Sequence, residues 1–392
     1  MTETVSDLLG TVELLRPVIE ANRDRAEAER RLPPEVYQAM FDAGLFGMLA
    51  PRKYGGLEVH PVDAMRVWEA VARIDSAAAW NLVMNQAVGG FAAWLPEEGA
   101  TELFGDGPTT VAAAFFPPGA ATRVQGGWRF SGRVPFASGC DNTSWFLFPA
   151  LEMEGSEPRI DPDTGQPIML ALFLPRDDVT IHDTWHTVGM RGTGSSDIAA
   201  TDVHVPDHRV AHVRPLANAA PGFEGPLYRV FPYIAMLGEA TVSVGVAAAA
   251  VSEVIELVKT KTPAYNTVAL RDQQLAQHTA GKAMARVNAA RDTLHRAAED
   301  AYDEVATGSL LSWDTKARLQ LALSFAAEAS AEAVRMSADV AGSSAIRLEQ
   351  RFERHFRDVH VLVQHASKAS PRYATAGRLL FGLENDWIWL IF

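Results

Sequence analysis

The chain has 392 residues, 48% of them hydrophobic, and its 35 Lys and Arg face 48 Asp and Glu for a formal net charge of −13. A single core stops growing at roughly 250–300 residues, so two or three subdomains are expected. The acidic balance leaves no continuous basic patch to displace counterions from a duplex, which excludes nucleic acid as an expected partner, and the lone Cys140 excludes an intrachain disulfide.

The start, MTETVSDLLG, lacks the basic flank and apolar run of a signal peptide, and no stretch of about 18 uninterrupted apolar residues occurs, so a soluble cytoplasmic protein without a membrane segment is expected. Over residues 4–108 apolar positions recur three and four apart, which predicts helices punctuated by Pro33, Pro51, Gly55, Gly56 and Pro61. From 109 to 220 the pattern changes to short β-rich runs bounded by turns, among them TRVQGGWRFSGRV, SWFLFPAL and MLALFLP, which predicts a small antiparallel β domain. After PGFEGP (221–226) long, alanine-rich amphipathic helices return, with Gly308 and Gly342 as stops. The stretch RFERHFRDVHVLVQHASKASPRY (351–373) reads as one more helix. The tail DWIWLIF (386–392) is too apolar to leave in water at roughly 1.5–3 kcal/mol per large side chain, and a neighbouring subunit is the favoured cover over the chain's own core.

Several motifs are weighed and set aside. GMRGTGSSD (189–197) precedes a strand-like run where a dinucleotide site needs a helix, so reducing equivalents are expected from another protein. His204, His208 and His212 are spaced by four, but Pro206 breaks any helix that would gather them, and the five-residue steps from His355 to His360 to His365 turn successive side chains apart; no metal site is expected. No G-x-S-x-G elbow occurs.

The α–β–α order, with SGRVPFASGCDNTSW (131–145), DTWHTVGMRGTGSSDIAATDVHVP (183–206) and RDVHVLVQH (357–365), resembles the acyl-CoA dehydrogenase superfamily over essentially the whole chain. Within it the chain is most similar to the two-component flavin-dependent monooxygenases, such as the oxygenase components acting on p-hydroxyphenylacetate, dibenzothiophene and the phenolic secosteroid of bacterial steroid breakdown. The resemblance implies an N-terminal all-α domain (1–108), a central antiparallel, barrel-like β domain (109–220) and a C-terminal four-helix bundle (221–392).

Dehydrogenases of this fold carry a catalytic glutamate nine residues after the Arg of an R-D pair; counting from Arg357 reaches Ala366, which takes no proton. The monooxygenase branch has a histidine one residue earlier, where His365 stands, so the resemblance makes His365 the catalytic group, orienting the oxygen donor or accepting a phenol proton. His360 is read as structural. A second dehydrogenase subgroup places its base close to Glu239, which leaves an FAD-dependent acyl-CoA dehydrogenase as one alternative; N-hydroxylation and S-oxidation on the same scaffold are the others.

By the same carry-over, Phe136 and Ser138 cover the isoalloxazine, with Ser138 a second catalytic residue whose hydrogen bond at N5 would slow the loss of peroxide; Trp185, Ser195 and Ser196 belong to a loop over the flavin, and Ser343 and Ser344 with Lys259 or Lys261 hold its phosphate. Trp80, Met84, Asn85, Phe115 and Phe116 would line the substrate side. The segment KTKTPAYNTV (259–268) lacks the dehydrogenases' arginine-centred ADP site, so reduced FMN is the expected cofactor, with FADH2 as the alternative and O2 as co-substrate. Reduced flavin from a separate NAD(P)H:flavin reductase would form a C4a-hydroperoxide in a water-excluding site and hydroxylate an aromatic, phenolic or polycyclic substrate. The apolar tail and long C-terminal helices imply a homotetramer.

Overall fold

The computed structural model describes residues 5–162, 165–213, 219–231 and 233–390. Helix α1 (Val5–Glu29) buries Leu8, Val12, Leu15 and Ile19, the three-and-four spacing of one helical face. It is followed by α2 (Pro34–Asp42), α3 (Pro61–Ile74), α4 (Ser76–Ala87) and α5 (Glu97–Phe104). Asp75 joins α3 to α4: its extended backbone (φ −152°) ends one helix, and its carboxylate accepts the Ala78 N–H at 2.8 Å to cap the next. That tight corner drives α4 into the interior, where ten of the first eleven residues named along it, from Ser76 to Gln86, are buried on every face.

The strands are β1 (Val111–Ala113), β2 (Gly119–Val124), β3 (Gly127–Val134), β4 (Trp145–Glu154), β5 (Glu157–Pro158), β6 (Met169–Pro175), β7 (Thr180–His182), β8 (Asp197–Pro206) and β9 (Val210–His212). They form one sheet in the order β7-β8-β3-β2-β4-β6-β9, with β1 and β5 paired to β4. The expected purely antiparallel domain is corrected here: β1 and β2 both pair with β4 in parallel, so the sheet is mixed. The β2–β3 hairpin explains this, because it sets β2 antiparallel to β3 and leaves its other edge to meet β4 in the same direction. Strands β4 and β6 read as continuous apolar runs because both faces are covered. Phe146, Phe148, Leu172 and Leu174 enter the β core, while the alternate Leu147 and Phe173 pack into the helical core.

The C-terminal part comprises α6 (Pro226–Arg229), α7 (Tyr233–Thr260), α8 (Gln274–Ala306), α9 (Trp313–Ala341), α10 (Phe352–Leu362) and α11 (Arg372–Leu380). Helix α7 packs against α3, α4, α8, α9 and α10. By length and composition α7 could cross a membrane, but 94% of its most apolar window is buried inside the protein, and the core packing accounts for that hydropathy. Gly238 and Gly245 make the approach possible: a Cβ at either would fall 2.4 Å from Val83 or Ala72, respectively. The N- and C-terminal helices consequently share a single hydrophobic core.

Two expectations change at the C-terminal end. The stretch 351–373 is not one helix: α10 stops at Leu362, and side-chain bonds among His365, Ser367 and Glu239 draw the next residues away before Pro371 and α11. His365 therefore lies beyond α10, and the helical rotation from His360 does not apply to it. The tail is covered, as far as it is described, by its own chain: Leu390 is buried, Trp389 meets Phe115 edge-on with centroids 4.8 Å apart, and Arg372 lies over Trp387 at 4.7 Å.

Candidate active site

A cavity of about 530 Å³ opens where the first turns of α7, the second half of α4, the segment after β1 and the turn after α10 meet. Of the residues singled out in the sequence, Trp80, Met84, Phe115, Phe116, Phe136, Ser138, Trp185, Ser195, Glu239 and His365 line it. Phe91, Phe231, Trp387 and Trp389 complete an aromatic wall that the sequence did not mark.

One side of the cavity is a strained turn after β3. Phe136 adopts φ +65°, a left-handed conformation that costs a bulky residue on the order of 1–3 kcal/mol. Neighbouring bonds hold it there: Ala137 N–H donates to Ser196 O at 3.1 Å and Gly139 N–H to Thr193 O at 2.9 Å. The ring stands in the open, perpendicular to Trp185 at 6.0 Å. Behind it runs a chain of hydroxyls whose direction is fixed by its ends. Trp80 Nε1–H can only donate, and does so to Ser138 Oγ at 2.9 Å. The Met190 carbonyl can only accept, and takes the Thr193 hydroxyl at 2.8 Å. The links between them, Ser138 to Ser195 and Ser195 to Thr193, are each 2.7 Å, so Ser138 donates to Ser195 and Ser195 to Thr193. Ser138 Oγ has its proton committed and retains only accepting capacity toward the cavity.

Across the cavity, His365 Nδ1 lies 2.8 Å from Glu239 Oε2 and 2.9 Å from Ser367 Oγ. Glu239 is presented by α7 one residue beyond Gly238, the glycine that admits α4. Its Oε2 also accepts the Ser367 hydroxyl and lies 3.7 Å from Lys368 Nζ. Burial alone would raise the Glu239 carboxyl, but the charges of His365 and Lys368 and the hydrogen bonds from His365 and Ser367 outweigh it and hold the group well below the usual carboxylate range. Burial pushes the Lys368 ammonium down to about 8 against the opposing pull of Glu239. Trp80 connects the two sides, with Lys368 Nζ 5.0 Å over its ring and His365 at its edge, 5.6 Å between centroids.

The model for the N-terminal domain of acyl-CoA dehydrogenases matches residues 10–98, and that for the C-terminal domain matches residues 237–369. The chain belongs to the acyl-CoA dehydrogenase family. Indole-3-acetate monooxygenase of Pseudomonas putida is 30% identical over 373 residues, covering 93% of this chain and 92% of that protein. HsaA, the oxygenase subunit of a flavin-dependent monooxygenase from Mycobacterium tuberculosis, is 27% identical over 391 residues, covering 96% and 95%. The solved structure of XiaF from Streptomyces sp. in complex with FADH2 and glycerol superposes with a TM-score of 0.89 at 25% identity, over 98% of this chain and 97% of that one. These similarities put the chain in the flavin-dependent monooxygenase branch of the acyl-CoA dehydrogenase family.

The family's R-D pair has a mechanical task in this member. The Asp358 carboxylate, buried, accepts the Met190 N–H and the Ser76 hydroxyl, both at 2.6 Å, and Arg357 donates to Val188 O at 2.6 Å. The pair thus pins the 185–195 loop from behind. Burial pushes the Asp358 carboxyl up to about 6, against the lowering effect of those two hydrogen bonds. Glu239 as a dehydrogenase base is corrected: the named relatives are monooxygenases, and the carboxylate is already engaged by three partners.

Other sequence-derived residues fall elsewhere. Asn85 is corrected as a substrate contact: fully buried behind the 136–140 turn, it donates to Ser138 O at 2.8 Å and does not line the cavity. Ser196 likewise supports that turn through its carbonyl. Lys261 Nζ donates to Ser344 Oγ at 2.8 Å and to Ala341 O, while Lys259 turns to Glu256 at 2.6 Å and Ser343 is exposed. This cluster, at the end of α7 and the start of the turn after α9, is not part of the cavity wall. His360 turns away, Nδ1 against Phe356 O at 2.6 Å. Thr193, Ser367 and Lys368 were missed, and the only available signal was their place inside the quoted motifs or one turn beyond them.

Proposed function

We propose that this chain is the oxygenase component of a two-component flavin-dependent monooxygenase that hydroxylates a phenolic aromatic substrate, with reduced flavin delivered by a separate reductase. The observation that carries the reading is the pairing, across one apolar cavity, of a hydroxyl whose remaining capacity is to accept with a histidine buttressed by a carboxylate. The Ser138 side fits reduced flavin. N5 of a reduced isoalloxazine carries a proton to donate, whereas oxidised N5 only accepts, and Ser138 Oγ, its own proton committed to Ser195, answers the former. Phe136 and Trp185 would flank the ring system. Bound reduced flavin supplies the two electrons with which O2 places one oxygen atom on the substrate and releases the other as water.

The remaining steps belong to the protein's own side chains. His365 takes the phenol proton on Nε2: the O–H bond breaks, an N–H bond forms, and the electron-rich ring carbon becomes the nucleophile. Glu239, 2.8 Å from Nδ1, balances the resulting imidazolium. The aromatic wall keeps water out, whose entry would divert O2 to hydrogen peroxide. A cytoplasmic homotetramer is part of the same reading, supported by apolar side chains left exposed on the C-terminal helices and turns, such as Trp313, Leu348 and Phe381.

The test is His365→Ala with a phenol, reduced flavin and O2. Product should fall by roughly 10²–10⁴-fold, the usual worth of one positioned acid–base group, with hydrogen peroxide rising in its place and reduced-flavin affinity little changed. Unchanged hydroxylation would overturn the assignment.

A further inference from the structure

Lys368 is the most enclosed cation of the site. Its side chain has no exposed surface, Nζ makes no hydrogen bond among the described residues, and its neighbours are the Glu239 carboxylate at 3.7 Å and the face of Trp80 at 5.0 Å. An ammonium buried in this way costs stability unless its charge is used, and an apolar side chain of similar length would fill the same space without that cost. The charge therefore needs a task other than packing.

We propose that Lys368 is a positioning residue that keeps Glu239 ionised, and so holds the proton of His365 on Nδ1 and leaves Nε2 as the acceptor in the cavity. The hydrogen bonds set this direction. Ser367 gives its hydroxyl proton to Glu239, so its oxygen, like the carboxylate, can only receive from His365 Nδ1. The Ser367 backbone N–H also points at Nδ1, but at 3.4 Å it does not compete with a carboxylate at 2.8 Å. Two states would spoil the arrangement: a Glu239 that takes the proton, and a His365 that stays doubly protonated against an uncompensated carboxylate. A positive charge on the far side of Glu239 opposes both. The groups facing His365 are consistent with this. Helix α7 contributes Glu239, the turn itself Lys368, and α4 the uncharged Trp80 ring; behind Ser367, α9 places Gln320 and Ser324.

The proposal rests on the reading of His365 as proton acceptor, and its test separates the two. In protein labelled with 15N-histidine, the His365 ring signals, identified by their loss in His365→Ala, should report the Nδ1–H tautomer at pH 7, where Lys368 is still charged. In Lys368→Met the ring should carry both protons at that pH, and the acid limb of the hydroxylation profile should move up by about one unit or more, the size expected when a charge ~4–6 Å away is removed. In Glu239→Gln the Nδ1–H preference should disappear and the limb should move down. A wild-type ring protonated on Nε2, or a Lys368→Met protein with unchanged ring signals and acid limb, would overturn the proposal. Should Lys368→Met not fold, Lys368→Gln, which keeps a polar end without the charge, decides. Its acid limb must rise by about one unit, and a limb coincident with that of the wild type would end the idea. If His365→Ala hydroxylates normally, the functional reading falls, while the tautomer measurement still judges Lys368.

Discussion

Trp80 touches three polar elements of the site: its N–H anchors the hydroxyl chain at Ser138, its face covers Lys368 and its ring meets that of His365 in a T-shaped pair. Thr193→Val removes the hydroxyl through which Ser138 and Ser195 reach the Met190 carbonyl, so Ser138 is freed to donate toward the cavity. One neutral hydrogen bond is worth about 0.5–1.5 kcal/mol, so reduced flavin should bind roughly 2–12-fold more weakly, and discrimination against oxidised flavin should shrink. Equilibrium titration with both redox states measures this; an undiminished preference would place the discrimination elsewhere. Asp358 makes a prediction of opposite character. Its folded carboxyl is raised to about 6 from an ordinary 3.8, so between those values the folded state binds more protons than the unfolded one. Its contribution to stability is present below the lower value and lost as pH rises through the higher, by something on the order of 2–3 kcal/mol in all. Urea unfolding of the wild type minus that of Asp358→Asn should therefore decline between about pH 4 and 6, and a flat difference would show that the carboxyl is not perturbed.

At the level of elements, the site depends on where helices stop. The end of α10 at Leu362 puts His365 in a turn, close enough to α7 to meet Glu239, and the tail beyond α11 then closes the cavity with Trp387 and Trp389. Trp389 packs on Phe115 from the segment after β1, so it couples the tail to the substrate wall. Trp389→Ala should open that wall to water with little effect on flavin, which sits against the Ser138 side in the proposed reading. The expected outcome is a lower ratio of product to oxygen consumed with excess hydrogen peroxide; tight coupling in this variant would mean that the tail does not exclude solvent. The α–β–α order was readable because hydrophobic periods of 3.6 and 2 are local signals. The break after Leu362 was not, because the bonds that cause it reach from Ser367 to Glu239, on a different helix. The parallel pairings of β1 and β2 with β4 escaped for the same reason: register between distant strands leaves no local trace.

For the molecule as a whole, charge is distributed in a way that composition conceals. Among the described residues the one carboxylate in the cavity wall is that of Glu239, and it is balanced by a Lys368 that does not itself reach the surface. His365 was legible as a candidate because its motif is contiguous, whereas Lys368, in HASKAS, looks like any solvated lysine until the fold encloses it. Among the described residues no Lys or Arg lines the cavity, and nine of the side chains that do are Phe or Trp. A substrate carboxylate entering there would leave water without gaining a cation, and an uncompensated buried charge costs several kcal/mol. A neutral phenol pays no such penalty, and its proton has a designated acceptor. The chain should accordingly favour 2-naphthol over 6-hydroxy-2-naphthoate, which has the same ring system with one added charge. The kcat/KM ratio should be at least about 10²-fold, because each 1.4 kcal/mol of lost binding is a factor of ten. Steady-state product formation with both compounds at neutral pH measures it directly. A preference for the carboxylate would show that a cation reaches the bound substrate, and the proposed neutral cavity would then be wrong even if His365 remained the base.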